Sequence, residues 1–180
     1  MPAPLFYVSS SQINVQAPFE LTGSETARIE IDAEQTGATS ATVPVLEASP
    51  AIFTLASSGR GRAVAINPSG SVNDRNNPAA PGDVITVYAS GLGQVQPEPA
   101  TGSPAPEDPP AAVVAEVTAA IGGAAATVNF AGLAPGFVGL YQLNIEIPAD
   151  APVGVAVPIQ FAVGDNQVEN LTWISVSSGQ

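Results

Sequence analysis

The chain is 180 residues long and sets 16 acidic side chains against 4 basic ones, a net charge of −12. It has no Cys, His or Lys, and its cations are Arg28, Arg60, Arg62 and Arg75. These absences exclude Ser-His-Asp and Cys-His nucleophiles, Schiff-base lysines, the usual zinc ligands, disulfides and Lys–Asn isopeptide crosslinks, and the negative field opposes nucleic acids and anionic membrane surfaces.

Apolar residues make up 45 % of the chain, enough to bury a core, yet they are mainly Ala and Val interrupted by 18 Pro and 17 Gly. Short apolar runs between frequent turn residues are the pattern of β-sandwiches and barrels. In chain order, Gln12-Ile13-Asn14-Val15-Gln16-Ala17 alternates apolar and amide side chains, which predicts a half-buried strand. Further strands are predicted at Thr26–Asp32, Thr42–Leu46, Arg62–Ile66, Val84–Ala89, Val113–Ile121, Ala125–Phe130, Gln142–Ile147 and Leu171–Val176. The longest alternating stripe is Val155, Val157, Ile159, Phe161 and Val163. No window has helical spacing free of Gly or Pro, and no apolar run is long enough to cross a membrane as a helix. Met1-Pro2-Ala3-Pro4 does not have the form of a signal peptide.

Two of these strands repeat. Gln12, Asn14 and Pro18 recur as Gln142, Asn144 and Pro148 at a spacing of 130 residues, and at that spacing Ala27, Ile29 and Ile31 fall on Val157, Ile159 and Phe161. Ala3-Pro4-Leu5-Phe6 lies one residue out of step with Ala134-Pro135-Gly136-Phe137. An internal duplication follows, with the second copy preceded by the strand-forming stretch Pro81–Phe130 and the first by nothing comparable. The expected fold is therefore all-β: two immunoglobulin-like β-sandwich modules, the first lacking its opening strands. The turn-rich run Asn73–Pro78 puts the expected boundary between residues 1–77 and 78–180.

Two resemblances accompany this reading. Pro81-Gly82-Asp83-Val84-Ile85-Thr86-Val87-Tyr88-Ala89-Ser90-Gly91-Leu92-Gly93 and Ile121-Gly122-Gly123-Ala124 resemble the opening strand and next hairpin of IPT/TIG-type immunoglobulin-like domains. Pro4-Leu5-Phe6-Tyr7-Val8-Ser9, Gln12–Gln16, Ala48-Ser49-Pro50-Ala51-Ile52-Phe53-Thr54, Asn77–Gly82 and Ala131–Gln142 resemble an uncharacterised C-terminal domain family of large secreted acidobacterial proteins. That resemblance covers nearly the whole chain. It implies an exported or cell-surface location and this fold, and it implies no activity.

No catalytic, cofactor-binding or metal-binding residue is expected, and the chain is not expected to be an enzyme. Glu146, Glu169, Asp150 and Asp165 lie on or after strands, in no motif that would set two carboxyl pKa values apart. Asn73, Asp74, Asn76, Asn77, Asp165 and Asn166 lack the spacing of a calcium loop and are read as turn formers. Phe6, Tyr7, Phe137 and Tyr141 are read first as core or inter-module rings and second as a sugar-stacking platform. Asn170-Leu171-Thr172 fits a glycosylation sequon.

Two functions stay open. One is a structural module that docks to an upstream domain, or to another copy of itself, by strand addition through Leu5, Phe6, Tyr7 and Val8. The other is a carbohydrate-binding or adhesive accessory module.

Overall fold

The computed structural model describes residues 1–33, 37–168 and 171–179, and they divide into two compact units. The first comprises Met1–Glu47 with Ala100–Gly102, and the second comprises Ala48–Pro99 with Ser103–Gln180. Both are all-β; among the described residues the one helical segment is a 3-10 turn at Phe19–Leu21.

The first unit holds β1 (Leu5–Val8), β2 (Ile13–Val15), β3 (Thr26–Ala33) and β4 (Gly37–Pro44). They form two separate antiparallel two-stranded sheets, β1 with β2 and β3 with β4. A strand forms around Ile13, though only over Ile13–Val15 and exposed instead of half-buried, and the strand predicted at Thr26–Asp32 appears, whereas β4 begins five residues before the predicted Thr42.

The second unit begins with three short strands, β5 (Ala51–Ile52), β6 (Gly61–Arg62) and β7 (Ala65–Ile66). There follow β8 (Val84–Ser90), β9 (Val95–Gln96), β10 (Ala112–Val113), β11 (Val117–Ile121), β12 (Ala124–Ala126) and β13 (Val128–Leu133). The remainder are β14 (Tyr141–Glu146), β15 (Gly154–Val163), β16 (Asn166–Gln167) and β17 (Thr172–Val176). One sheet has the order β5-β8-β14-β13-β10-β9, with β7 also on β8. The other has the order β12-β11-β15-β17-β6, with β16 also on β15. The β11–β12 hairpin closes through Gly122 and Gly123, at φ +62° and +88°. Positive φ at both central residues is what a two-residue turn matched to strand twist requires, and glycine reaches it without Cβ strain.

Period two explains the core of this unit. Ile85, Val87 and Ala89 of β8, Leu143 and Ile145 of β14, and Val157, Ile159, Phe161 and Val163 of β15 are all buried. Val155 is the one member of the β15 stripe left exposed. Burying a Val, Leu or Ile side chain contributes about 1.5–3 kcal/mol, and the two inner faces supply these contacts together.

Residues 48–77, expected with the first module, form part of the second unit. β5 and β7 hydrogen-bond side by side to the edge of β8 (Ile52 opposite Ala89, Ala65 opposite Val87), and β6 runs parallel to β17. The turn-rich stretch from Asn67 to Pro78 is therefore internal to the unit. Edge strands of two residues carry no readable alternation, yet they cover a sheet edge that would otherwise stay open.

Tyr141 shows how tightly this unit closes. Its ring is buried and its hydroxyl donates to the Gly93 carbonyl, across the loop that follows β8. Burial, with the nearby Glu98 charge, pushes its pKa up to about 12. The neutral phenol is thus favoured in the folded state, so the stabilisation is complete below the unfolded value near 10 and is lost as pH rises toward 12. Denaturant unfolding is expected to weaken by roughly 2–3 kcal/mol across that window, and much less so in Tyr141→Phe. In a spectrophotometric alkaline titration, Tyr141 should ionise only as the pH nears about 12.

Candidate interaction surface

The β1–β2 hairpin is made by its local sequence. Ser9 Oγ accepts the backbone N–H groups of Ser11 and Gln12, at 3.3 and 3.0 Å, and Ser9 N–H donates to the Gln12 carbonyl at 2.8 Å. A serine hydroxyl closing its own turn reverses the chain within four residues. Gln12 Nε2 then donates to Asn14 Oδ1 at 2.7 Å, so the amides share one face of β2 while Ile13 and Val15 point to the other.

That apolar face meets no cover. Leu5, Phe6, Tyr7 and Val8 are between 52 % and 62 % exposed, and Ile13 and Val15 are exposed as well. A half-buried strand shows alternating burial, whereas every residue of β1 and β2 is exposed. Among the described residues, no further strand pairs with either edge of this sheet. The β3–β4 hairpin repeats the situation: Ile29 and Ile31 line up across from Ala41 and Thr39, and both isoleucines are exposed. On its opposite face Arg28 bridges Glu30 at 3.1 Å, an exposed pair that contributes little. Within Met1–Glu47, Gln16 is the one described residue of the strands and turns from Leu5 to Pro44 that is buried, its Oε1 accepting the Gly102 N–H at 2.8 Å. Among the described residues of these four strands, no apolar side chain is buried. Leu5 to Val8, the expected docking segment, make up β1.

The other candidates fall elsewhere. Tyr141 is a core ring, whereas Phe6, Tyr7 and Phe137, expected as core or inter-module rings, are exposed. Period two places a ring on a face without saying whether that face is covered. Trp173 is half-buried, on the β17 edge where it lies opposite Arg62. Asp74 Oδ1 accepts N–H groups from Asn77 and Asn76, which hold its carboxyl below the usual range and close an Asx turn. Asn73, beside it, is fully buried and hydrogen-bonded to Asn67 and Ser175. Among the described residues no group of three or more Asp or Glu stands together as a cation site. Glu169 and Asn170 of the sequon lie outside the described residues. A shallow polar depression of about 460 Å³ is lined by Asn67, Ser69, Ser71, Asn76, Asn77 and Asp83, without an aromatic ring.

Comparison with family models, curated proteins and solved structures finds no match to this chain. No helix among the described residues is long and apolar enough to cross a membrane. The functional reading therefore rests on this chain's own geometry, chiefly the uncovered face of the first unit.

Proposed function

We propose that this chain is a non-catalytic structural and interaction module of a secreted or cell-surface protein. It is built from two copies of one immunoglobulin-like unit, and the first copy is completed by a strand from outside it. The observation that carries this reading is the pair of open-edged hairpins whose apolar residues Leu5, Val8, Ile13, Ile29 and Ile31 face solvent. Adding a strand satisfies unpaired backbone groups and covers apolar side chains in one step.

The duplication is supported by residue identity and by antiparallel pairing in the same stretch of chain, although the ladders do not match residue for residue. Thr26 pairs with Pro44, and their counterparts at the 130-residue spacing are Ala156 and Ile174. Ile174 pairs with Val157, one residue away. At the other end Ala33 pairs with Gly37, and their counterparts Val163 and Gln167 pair with Asn166 and Ala162, again one residue off. The strings from Pro4 to Gln142 that resemble a secreted protein family support the exported setting.

An isolated hairpin is marginal in water, so amide hydrogen exchange separates the outcomes. In the dilute chain, amides of β1 to β4 are expected to exchange rapidly while those of β14 and β15 stay protected. At rising concentration, light scattering is expected to register association that Ile13→Lys removes without changing the melting of the second unit. A chain that stays monomeric with β1 to β4 as protected as β14 contradicts the proposal. Half-exposed Phe6 and Tyr7 favour glycan stacking as the alternative; glycan-array binding lost in Tyr7→Ala and retained in Ile13→Lys would identify it.

A further inference from the structure

The second unit displays the strand that the first one lacks. β14 is bonded on one side to β13, the strand that precedes it, and on the other to β8. β2 is bonded to the strand that precedes it, β1, and among the described residues no strand pairs with its other, open edge. The open edge is thus the one that β8 occupies on β14.

The pairing there is specific. Val87 lies opposite Leu143, Thr86 opposite Asn144 and Ile85 opposite Ile145. At the 130-residue spacing those partners are Ile13, Asn14 and Val15. Ile85, Val87 and Ala89 are fully buried, and the residues between them are only partly so. Thr86 Oγ1 also donates to Asn144 Oδ1 at 3.2 Å on the outer face, and Asn14 presents the same amide on β2.

Resting on the completion reading above, we propose that the occupant of the β2 edge is an extended, antiparallel segment with the side-chain pattern of β8. Small β-branched or aliphatic residues stand at alternate inward positions, one facing Ile13 and the next facing Val15. A hydroxyl residue between them faces Asn14. Register decides selectivity, because a slip of one residue turns the apolar set outward. A charge at either inward position would be buried against Ile13 or Val15 without a partner.

The test uses the full chain and a synthetic peptide with the sequence Pro81–Gly93, labelled for anisotropy. A control peptide has the same composition with the residues of Val84–Ser90 reordered to break the alternation. The parent peptide is expected to bind saturably, one per chain, at least ten times more tightly than the control. It is also expected to slow amide exchange in Leu5–Val15 and to leave β14 unchanged. Equal binding of both peptides, or protection confined to the second unit where the peptide displaces β8, overturns the inference. If neither peptide binds but the chain associates in a manner that Ile13→Lys abolishes, this partner pattern is wrong while completion by some strand stands. Hairpins already protected without any partner sink both.

Discussion

Gly91→Ala is expected to lower the melting temperature of the second unit by roughly 10–15 °C, the consequence of about 4 kcal/mol lost from a domain of this size. Gly91 follows β8 at φ +74°, and a methyl group there would lie 2.1 Å from the Ser49 carbonyl oxygen and 2.8 Å from its carbon. The Gly91 carbonyl also accepts the Ser49 N–H at 2.9 Å, so the two backbones are fastened where the clash would occur. Left-handed backbone costs a non-glycine residue roughly 1–2 kcal/mol, and overpacking against immovable backbone adds 1–3 kcal/mol or more. Two comparison variants separate these contributions. Gly123→Ala combines φ +88° with open space and should cost only about 1 kcal/mol. Gly132→Ala keeps an ordinary strand backbone, yet its methyl would lie 2.2 Å from the Ala111 oxygen, so it should approach the loss in Gly91→Ala. Calorimetry of the three variants checks the order; an undiminished melting temperature in Gly91→Ala would refute the packing described at the β5–β8 edge.

The second large effect is expected at Asn73, which is fully buried. Its side-chain amide donates to Asn67 Oδ1 at 3.0 Å and to the Ser175 carbonyl at 2.9 Å, and its Oδ1 accepts the Ser175 N–H at 2.7 Å. One side chain thereby ties the loop after β7 to β17. In Asn73→Ala the Ser175 N–H is left buried without an acceptor, while the Ser175 carbonyl keeps the Ala79 N–H at 3.0 Å. An orphaned buried group costs about 1–3 kcal/mol, and with the lost cross-link the variant should be destabilised by roughly 2–4 kcal/mol in urea unfolding. Asn73→Asp retains the acceptor but buries a carboxyl, which raises its folded-state pKa above the unfolded value. Its stability should therefore be greatest in acid and decline as pH rises, a trend the parent lacks at this position. A pH-independent difference between Asn73→Asp and the parent would argue against the burial.

Both effects reside in the second unit, where the interior is closed, and the functional proposal resides in the first, where it is open. The same alternation produced both. Ile13 and Val15 follow the period of Leu143 and Ile145, but only the latter pair has β8 on one side and β13 on the other. Each additional strand brings apolar burial and backbone hydrogen bonds together, which makes a half-completed unit a marginal structure and a natural acceptor.

From residues alone came the all-β class, the strands around Ile13, Thr26, Val84, Leu143 and Ile159, the Gly122-Gly123 turn and the 130-residue spacing. These are properties of neighbours in the chain: period two assigns side chains to faces, and glycine pairs mark positive φ. Four matters were decided only in three dimensions. β5 and β7 joined the second unit, the expected turn former Asn73 became a buried linchpin, Phe137 was left in solvent, and the described faces of β1 to β4 went uncovered. Each depends on whether a distant segment lies against a given face or edge, and alternation along a strand is the same whether its apolar side meets another sheet or water.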